Sequence, residues 1–272
     1  MALPTYGPRC SAQGVLEHAL AAEELGFDGV ASTDHLYVPP GDPERFERVL
    51  EAITVLAALA PLTHRVRLMI SMLVLPMRNP FLAAKQLATL DQLSRGRLVL
   101  GLSAGWNRLE FENLGADFST RGARLDEAMA LLQHLFSGSA EGFRGRYYSY
   151  ENATFGPLPV GPGGVTMMVG GASDSALRRA ARFADMWQSN PAVRADQYRS
   201  LVDKLNSLAS GRHVEPGARI NVPSGVGAML QQATEYGDAG AEHVLLEFFP
   251  TDGFGARLHL FANEVLPVLK ER

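Results

Sequence analysis

Apolar positions along this chain follow two alternating rhythms. Short, nearly continuous apolar runs at residues 27–33, 65–75, 98–102, 165–169, 185–188, 219–222 and 243–249 have the length and content of strands buried on both faces. Between them, apolar residues return every three or four positions. Val15, Leu16, Ala19 and Leu20 mark such a stretch within residues 11–25, and Gly26 follows where a helix commonly stops. The same period predicts helices over residues 43–59, 79–93, 107–114, 122–136, 173–183, 195–209, 227–239 and 254–269. With residues 3–7 as the stub of a first strand, the chain reads as eight strands, each followed by a helix. That alternation demands parallel strands with right-handed crossovers, and eight such units close into an α/β (β/α)8 TIM barrel. An open, doubly wound sheet is the alternative the pattern leaves standing. One region breaks the rhythm. Residues 137–164 carry Phe143, Tyr147, Tyr148, Tyr150 and Phe155 among glycines and prolines, and read as a hairpin followed by an extended insertion. Its aromatics either line a functional loop or pack on neighbouring helices.

Composition narrows the class. The 272 residues are 46% hydrophobic and 20% charged, which suits one large domain spanning residues 1–272. The formal net charge of −4 offers no general attraction to nucleic acid or to an anionic membrane. Cys10 is the one cysteine, so no internal disulfide forms, and no Cys/His cluster marks a metal site. The opening MALPTYGPRC lacks a basic start and an apolar run, and residues 68–77 are too few to cross a bilayer. A cytoplasmic protein without nucleic-acid or membrane partners is expected.

Candidate chemistry gathers at strand ends. His35, beside Asp34, follows the second strand on the face where barrel enzymes build their sites. Histidine exchanges protons near neutrality, and Asp34 is positioned in sequence to orient it. Two strands run into small-residue turns, Gly101-Leu102-Ser103-Ala104-Gly105 and Gly170-Gly171-Ala172-Ser173. Glycine lets backbone amides approach a ring or a phosphate, and the second turn opens a helix whose N-terminus favours anions. Ser173 reads as both cap and anion ligand, with Arg121 and Arg124 as further phosphate candidates. No dinucleotide fingerprint, P-loop, nucleophile elbow or zinc motif is present.

The runs AEELGFDGVASTDHLYVP, LVLPMRNPFLAAKQLATLDQLSRGRLVLGLSAGWNRLEFENLG and MMVGGASDSALRRAARFADMW together resemble the bacterial luciferase-like monooxygenase superfamily, in particular its coenzyme F420-dependent (deazaflavin) oxidoreductase branch. Residues 79–105 carry most of the likeness. The resemblance implies a barrel that holds coenzyme F420, the favoured cofactor, or FMN across its mouth. It places Asp34 and His35 near the reactive ring, with His35 delivering the proton. It puts a non-proline cis peptide at Ser71-Met72 behind the ring, and Ser103, Ala104 and Gly105 along it. Gly170, Gly171, Ala172 and Ser173 fall on the phosphate side, with Arg124 near them. Tyr37, Met72 and Trp106 shape the substrate pocket. The implied activity is hydride transfer between the cofactor and a small organic substrate. Two alternatives stand beside it: a cofactor-binding protein without chemistry, and a metal-dependent hydrolase using Asp34 and His35, for which no further ligands are found. Relatives form homodimers through the second and third helices, where Leu50, Ile53, Leu56 and Leu87 either make that contact or pack on the barrel. Three departures are expected to matter: a short first strand, a short insertion, and no acid at residues 104–106, where some deazaflavin dehydrogenases carry a glutamate.

Overall fold

The computed structural model describes residues 1–8, 10–36, 48–151, 153–161, 163–248 and 253–271. Its parallel strands are β1 (Gly29–Ser32), β2 (Arg67–Leu73), β3 (Leu98–Leu102), β6 (Thr166–Gly170), β7 (Met186–Gln188), β8 (Glu215–Asn221) and β9 (His243–Glu247), hydrogen-bonded side by side in that order. Phe143–Arg144 (β4) and Ser149–Tyr150 (β5) form a separate antiparallel hairpin. The first residues close the ring. The Ala2 amide donates to Leu246 O at 2.8 Å, and the Leu3 amide to Ala31 O at 2.8 Å, so the opening segment is the stave between β9 and β1. The eight-stave barrel expected from the periodicity is the observed architecture.

The helices sit outside: α1 (Ala12–Glu24), α2 (Ala52–Leu59), α3 (Pro80–Ser94), α4 (Arg108–Asn113), α5 (Arg121–Phe136), α6 (Asp174–Phe183), α7 (Ala195–Ala209), α8 (Val226–Asp238), α9 (Phe254–Leu260) and α10 (Leu266–Lys270), with a π-turn at Phe261–Val265 joining the last two. Local caps explain several starts. Ser11 accepts from Gly14, Asn79 from Phe81 and Leu82, and Ser173 from Ala176. Among the described residues no helix is long and apolar enough to cross a membrane.

Two apolar layers account for the continuous strand runs. Ala2, Ala31, Met69, Val99, Met168, Met186 and Leu245 pack together inside the barrel. Val30, Leu68, Ile70, Leu100, Val169 and Trp187 point the other way, into the core shared with the helices. Each such aliphatic side chain contributes about 1.5–3 kcal/mol by leaving water.

Three expectations change. The helix predicted over residues 43–59 begins at Ala52. Residues 43–47 lie outside the described set, and Val49 is extended, bridged antiparallel to Tyr6. Glu51 then caps α2 through the Thr54 amide at 2.7 Å. The strand read at residues 219–222 starts earlier, at Glu215, and includes Pro216 and Gly217. Leu56 and Leu87 are fully buried and Ile53 nearly so, inside this chain's own core, so these three side chains are not a contact surface, while Leu50 is half-buried against that core.

The insertion lies against the outside of the barrel. Tyr148, Tyr150, Phe143 and Phe155 pack on the main core, and Glu127 of α5 accepts the amides of Arg146, Tyr147 and Tyr148 at 2.7–2.9 Å. Of the two readings of its aromatics, packing on helices is the one observed for these four.

Candidate active site

His35 follows β1 at the carboxyl end of the barrel. Its Nδ1 lies 3.1 Å from Glu110 Oε2, and Glu110 Oε1 accepts the Leu36 amide at 2.9 Å. Glu110 is a buried carboxylate in the first turn of α4, whose cap is Asn107. A carboxylate in this place accepts a hydrogen bond from Nδ1–H, which leaves Nε2 as the ring nitrogen turned away from it. The Trp106 ring stands edge-on to His35 at 5.8 Å and is 63% exposed, an apolar wall at the rim.

Asp34 faces elsewhere. Arg78 grips its carboxylate with two bonds of 2.7 and 2.9 Å, and the Val74 amide adds a third at 3.0 Å. Burial pushes this carboxyl above its ordinary range, while Arg78 and the amide pull against it. Asp34 therefore ties the end of β1 to the end of β2, and the group that orients His35 is Glu110. Sequence reasoning sought an acid only at residues 104–106. The available signal was a charge between two apolar neighbours, Leu109-Glu110-Phe111, on the helix that follows.

The end of β2 supplies the floor. The Ser71-Met72 peptide is cis, and the β2–β3 register shifts between Ile70 and Leu73. Met72 lies against Gly101 and Gly170. A Cβ on Gly101 would sit 2.6 Å from Met72 Sδ and 2.2 Å from Ile70 O, and one on Gly170 would sit 2.6 Å from Met72 Cγ. Only glycine fits at 101, where the clash is with backbone; at 170 a larger residue would displace the Met72 side chain. Ser71 Oγ donates to Gln188 Oε1 at 2.7 Å, and Ser71 O accepts from Arg219 Nη1 at 3.2 Å. Arg219 also forks onto Glu247 at 3.1 and 3.2 Å, and the Tyr6 hydroxyl donates to the same carboxylate. Burial pushes Glu247 up to about 7. This cross-barrel network was missed from sequence, because single polar residues in apolar strands show no pattern until the strands are paired.

Two loops complete the mouth. Ser103 N donates to Leu73 O at 3.0 Å, Ala104 packs on the core, and Gly105, at φ +82°, sits where a Cβ would strike Val74. Gly171 accepts from Trp187 Nε1 at 2.8 Å, Ala172 packs on the core, and Ser173 caps α6. Arg121 is committed to Gly105 O at 3.2 Å and Phe118 O at 2.8 Å, with its guanidinium over the Phe118 ring. Arg124 bonds Thr120 Oγ1 at 3.0 Å and stacks on Tyr147 at 4.6 Å. Tyr37 lies outside the described residues. Cys10 is buried, which pushes its thiol up and away from reactivity.

These residues fit a planar, polar-edged group. The Gln188 carboxamide nitrogen, on the strand position paired with Gly170, the Ser189 hydroxyl and the side-chain nitrogen of Asn107 at the α4 cap are buried without hydrogen-bond partners. Among the described residues no cluster of three or more His, Cys, Asp or Glu forms a metal site.

A (β/α)8 barrel with polar and glycine-rich loops at its carboxyl end is the architecture on which barrel enzymes build their active sites. The chain belongs to the luciferase-like monooxygenase family, whose model matches residues 3–258. It is an oxidoreductase of that family, which has both FMN- and F420-dependent members among its neighbours. An uncharacterized protein of Mycobacterium tuberculosis is 30% identical over 85% of this chain and 83% of its own length. The FMNH2-dependent dimethylsulfone monooxygenase of Pseudomonas fluorescens is 31% identical over 72% of this chain, and the match covers about half, 52%, of that enzyme. Among solved structures, an F420-dependent secondary alcohol dehydrogenase superposes with a TM-score of 0.79 at 18% identity, covering 93% of this chain and 94% of that one.

Proposed function

We propose that this chain transfers a hydride between coenzyme F420 and a small organic substrate. The observation that carries the reading is the His35–Glu110 pair after the carboxyl end of β1, with the Trp106 ring beside it. FMN is the second reading, supported by the FMNH2-dependent relative. The cofactor supplies or accepts the hydride when bound. The protein's part is placement and proton handling. Ser173 and the free amides of α6 suit the phosphate, at the positive end of a helix dipole. Met72 supports the ring's face, and Trp106 screens the reacting edge from water. His35, held by Glu110, moves a proton at Nε2.

Titrating the protein with coenzyme F420 and with FMN, read by absorbance, separates the two cofactors. His35→Ala is expected to leave binding intact and to cut turnover about 10²–10⁴-fold. Unchanged turnover removes His35 from the reaction, and tight binding without hydride exchange toward any acceptor favours a carrier. A homodimer belongs to the same reading. Its support is the exposed pair Leu82 and Leu93 on α3, and sedimentation measures it directly.

A further inference from the structure

Arg219 makes a contact that the proposed chemistry leaves unused. Counting the opening segment, β2 and β8 stand four staves apart in either direction around the ring. The Arg219–Ser71 bond therefore spans the barrel's diameter. Arg219 is level with Leu245 of the neighbouring strand, which belongs to the apolar layer that also holds Met69 and Met186. A guanidinium beside such a layer persists only with a partner, and Glu247 provides one with both oxygens. The Arg219 side chain keeps 15% of its surface exposed and Glu247 3%, and Glu247 is level with Asn221, two residues nearer the carboxyl end of the barrel than Arg219. Two of its nitrogens are fixed on Glu247, and the third reaches the Ser71 carbonyl, one residue before the methionine that packs against Gly101 and Gly170.

We propose that Arg219 is a positioning residue, a crossbeam that anchors the Ser71 carbonyl and so sets the height of Met72 under the bound ring. The proposal rests on the cofactor reading above and concerns the ring's seat, not its phosphate. The planar fork is essential to it. A lysine keeps the charge opposite Glu247 but offers one nitrogen, which cannot serve Glu247 and the opposite strand together. Without the span, the buried Ser71 carbonyl loses its side-chain donor and Met72 settles differently over the two glycines. The phosphate loop at Ser173 makes none of these contacts.

The test titrates wild type, Arg219→Lys and the paired replacement Arg219→Met with Glu247→Leu against coenzyme F420 and FMN. Three readouts are recorded: the dissociation constant, the shift of the ring's visible band on binding, and competition by inorganic phosphate. The lysine variant keeps the ion pair, and the paired variant removes both charges, so neither leaves a lone buried charge. Both variants are expected to bind the ring cofactor about tenfold more weakly and to lose the band shift. Phosphate competition is expected to stay within about twofold, as for a distant, independent site. Wild-type-like affinity and band shift in either folded variant overturns the positioning role while leaving the cofactor reading intact. Wild type that binds neither cofactor overturns both.

Discussion

Adjacent in sequence, Asp34 and His35 serve different neighbours. A strand end turns successive side chains apart, so Asp34 meets Arg78 while His35 meets Glu110, 75 residues away. Glu110→Gln keeps the shape and removes the charge. It is expected to lower turnover about 10–100-fold, the scale on which an orienting partner acts, with cofactor affinity unchanged in the same titration. A turnover equal to wild type would leave Glu110 only the task of holding the Leu36 amide. At the opposite end of the barrel, the hydrogen bond from His243 Nδ1, at 3.0 Å, holds the Glu215 carboxyl below its ordinary 4.5. A depressed carboxylate stabilises the fold above its unfolded value, and that contribution is lost as pH falls through the folded one. Urea titrations of wild type and Glu215→Gln should differ near neutrality and converge as pH falls through the lowered folded value of Glu215.

Elements were most legible where their signals are local. The strand Leu98–Leu102 and the helix Ala195–Ala209 have the bounds their periodicity predicts. The start of α2 was not legible, because residues 48–50 are drawn straight by a distant partner. Gly7 N bonds Arg48 O, and Leu50 N bonds Thr5 O. The insertion was ambiguous for a related reason: aromatic residues look alike whether they face a ligand or a helix. Its hairpin is held by the Glu127 carboxylate against three backbone amides. Glu127→Ala should therefore speed hydrogen exchange at residues 145–148 while exchange in the barrel strands stays slow, with about 1–3 kcal/mol lost overall. Uniformly faster exchange would mean that the hairpin supports the barrel as a whole.

Across the whole molecule, stability and chemistry occupy opposite ends. The Ser-Arg-Gly-Arg turn, a strong mark of family resemblance, sits at the amino end of β3, away from the mouth. There Arg97 donates to Ala60 O, Thr63 O, Thr63 Oγ1, Val66 O and Ser94 O at 2.8–2.9 Å, tying the α2–β2 connection to the α3–β3 turn. Arg97→Ala is expected to cost about 2–3 kcal/mol in thermal or urea unfolding and to leave cofactor titration unchanged. His35→Ala should leave unfolding unchanged and lose turnover instead. A loss of cofactor affinity in the Arg97 variant at temperatures where it stays folded would break this division.

Periodicity, glycine placement and capping residues act within a few positions, so the order of strands and helices, the barrel class and the two glycine turns were readable from the chain alone. Family likeness added the cis peptide at Ser71-Met72 and the position of His35. Closure by the first residues, the Glu110 partner of His35, and the Arg219 beam from β8 to Ser71 came only with the folded arrangement. Each of those joins segments far apart in the chain, and an interaction whose energy depends on three-dimensional distance leaves no period or spacing in the sequence to announce it.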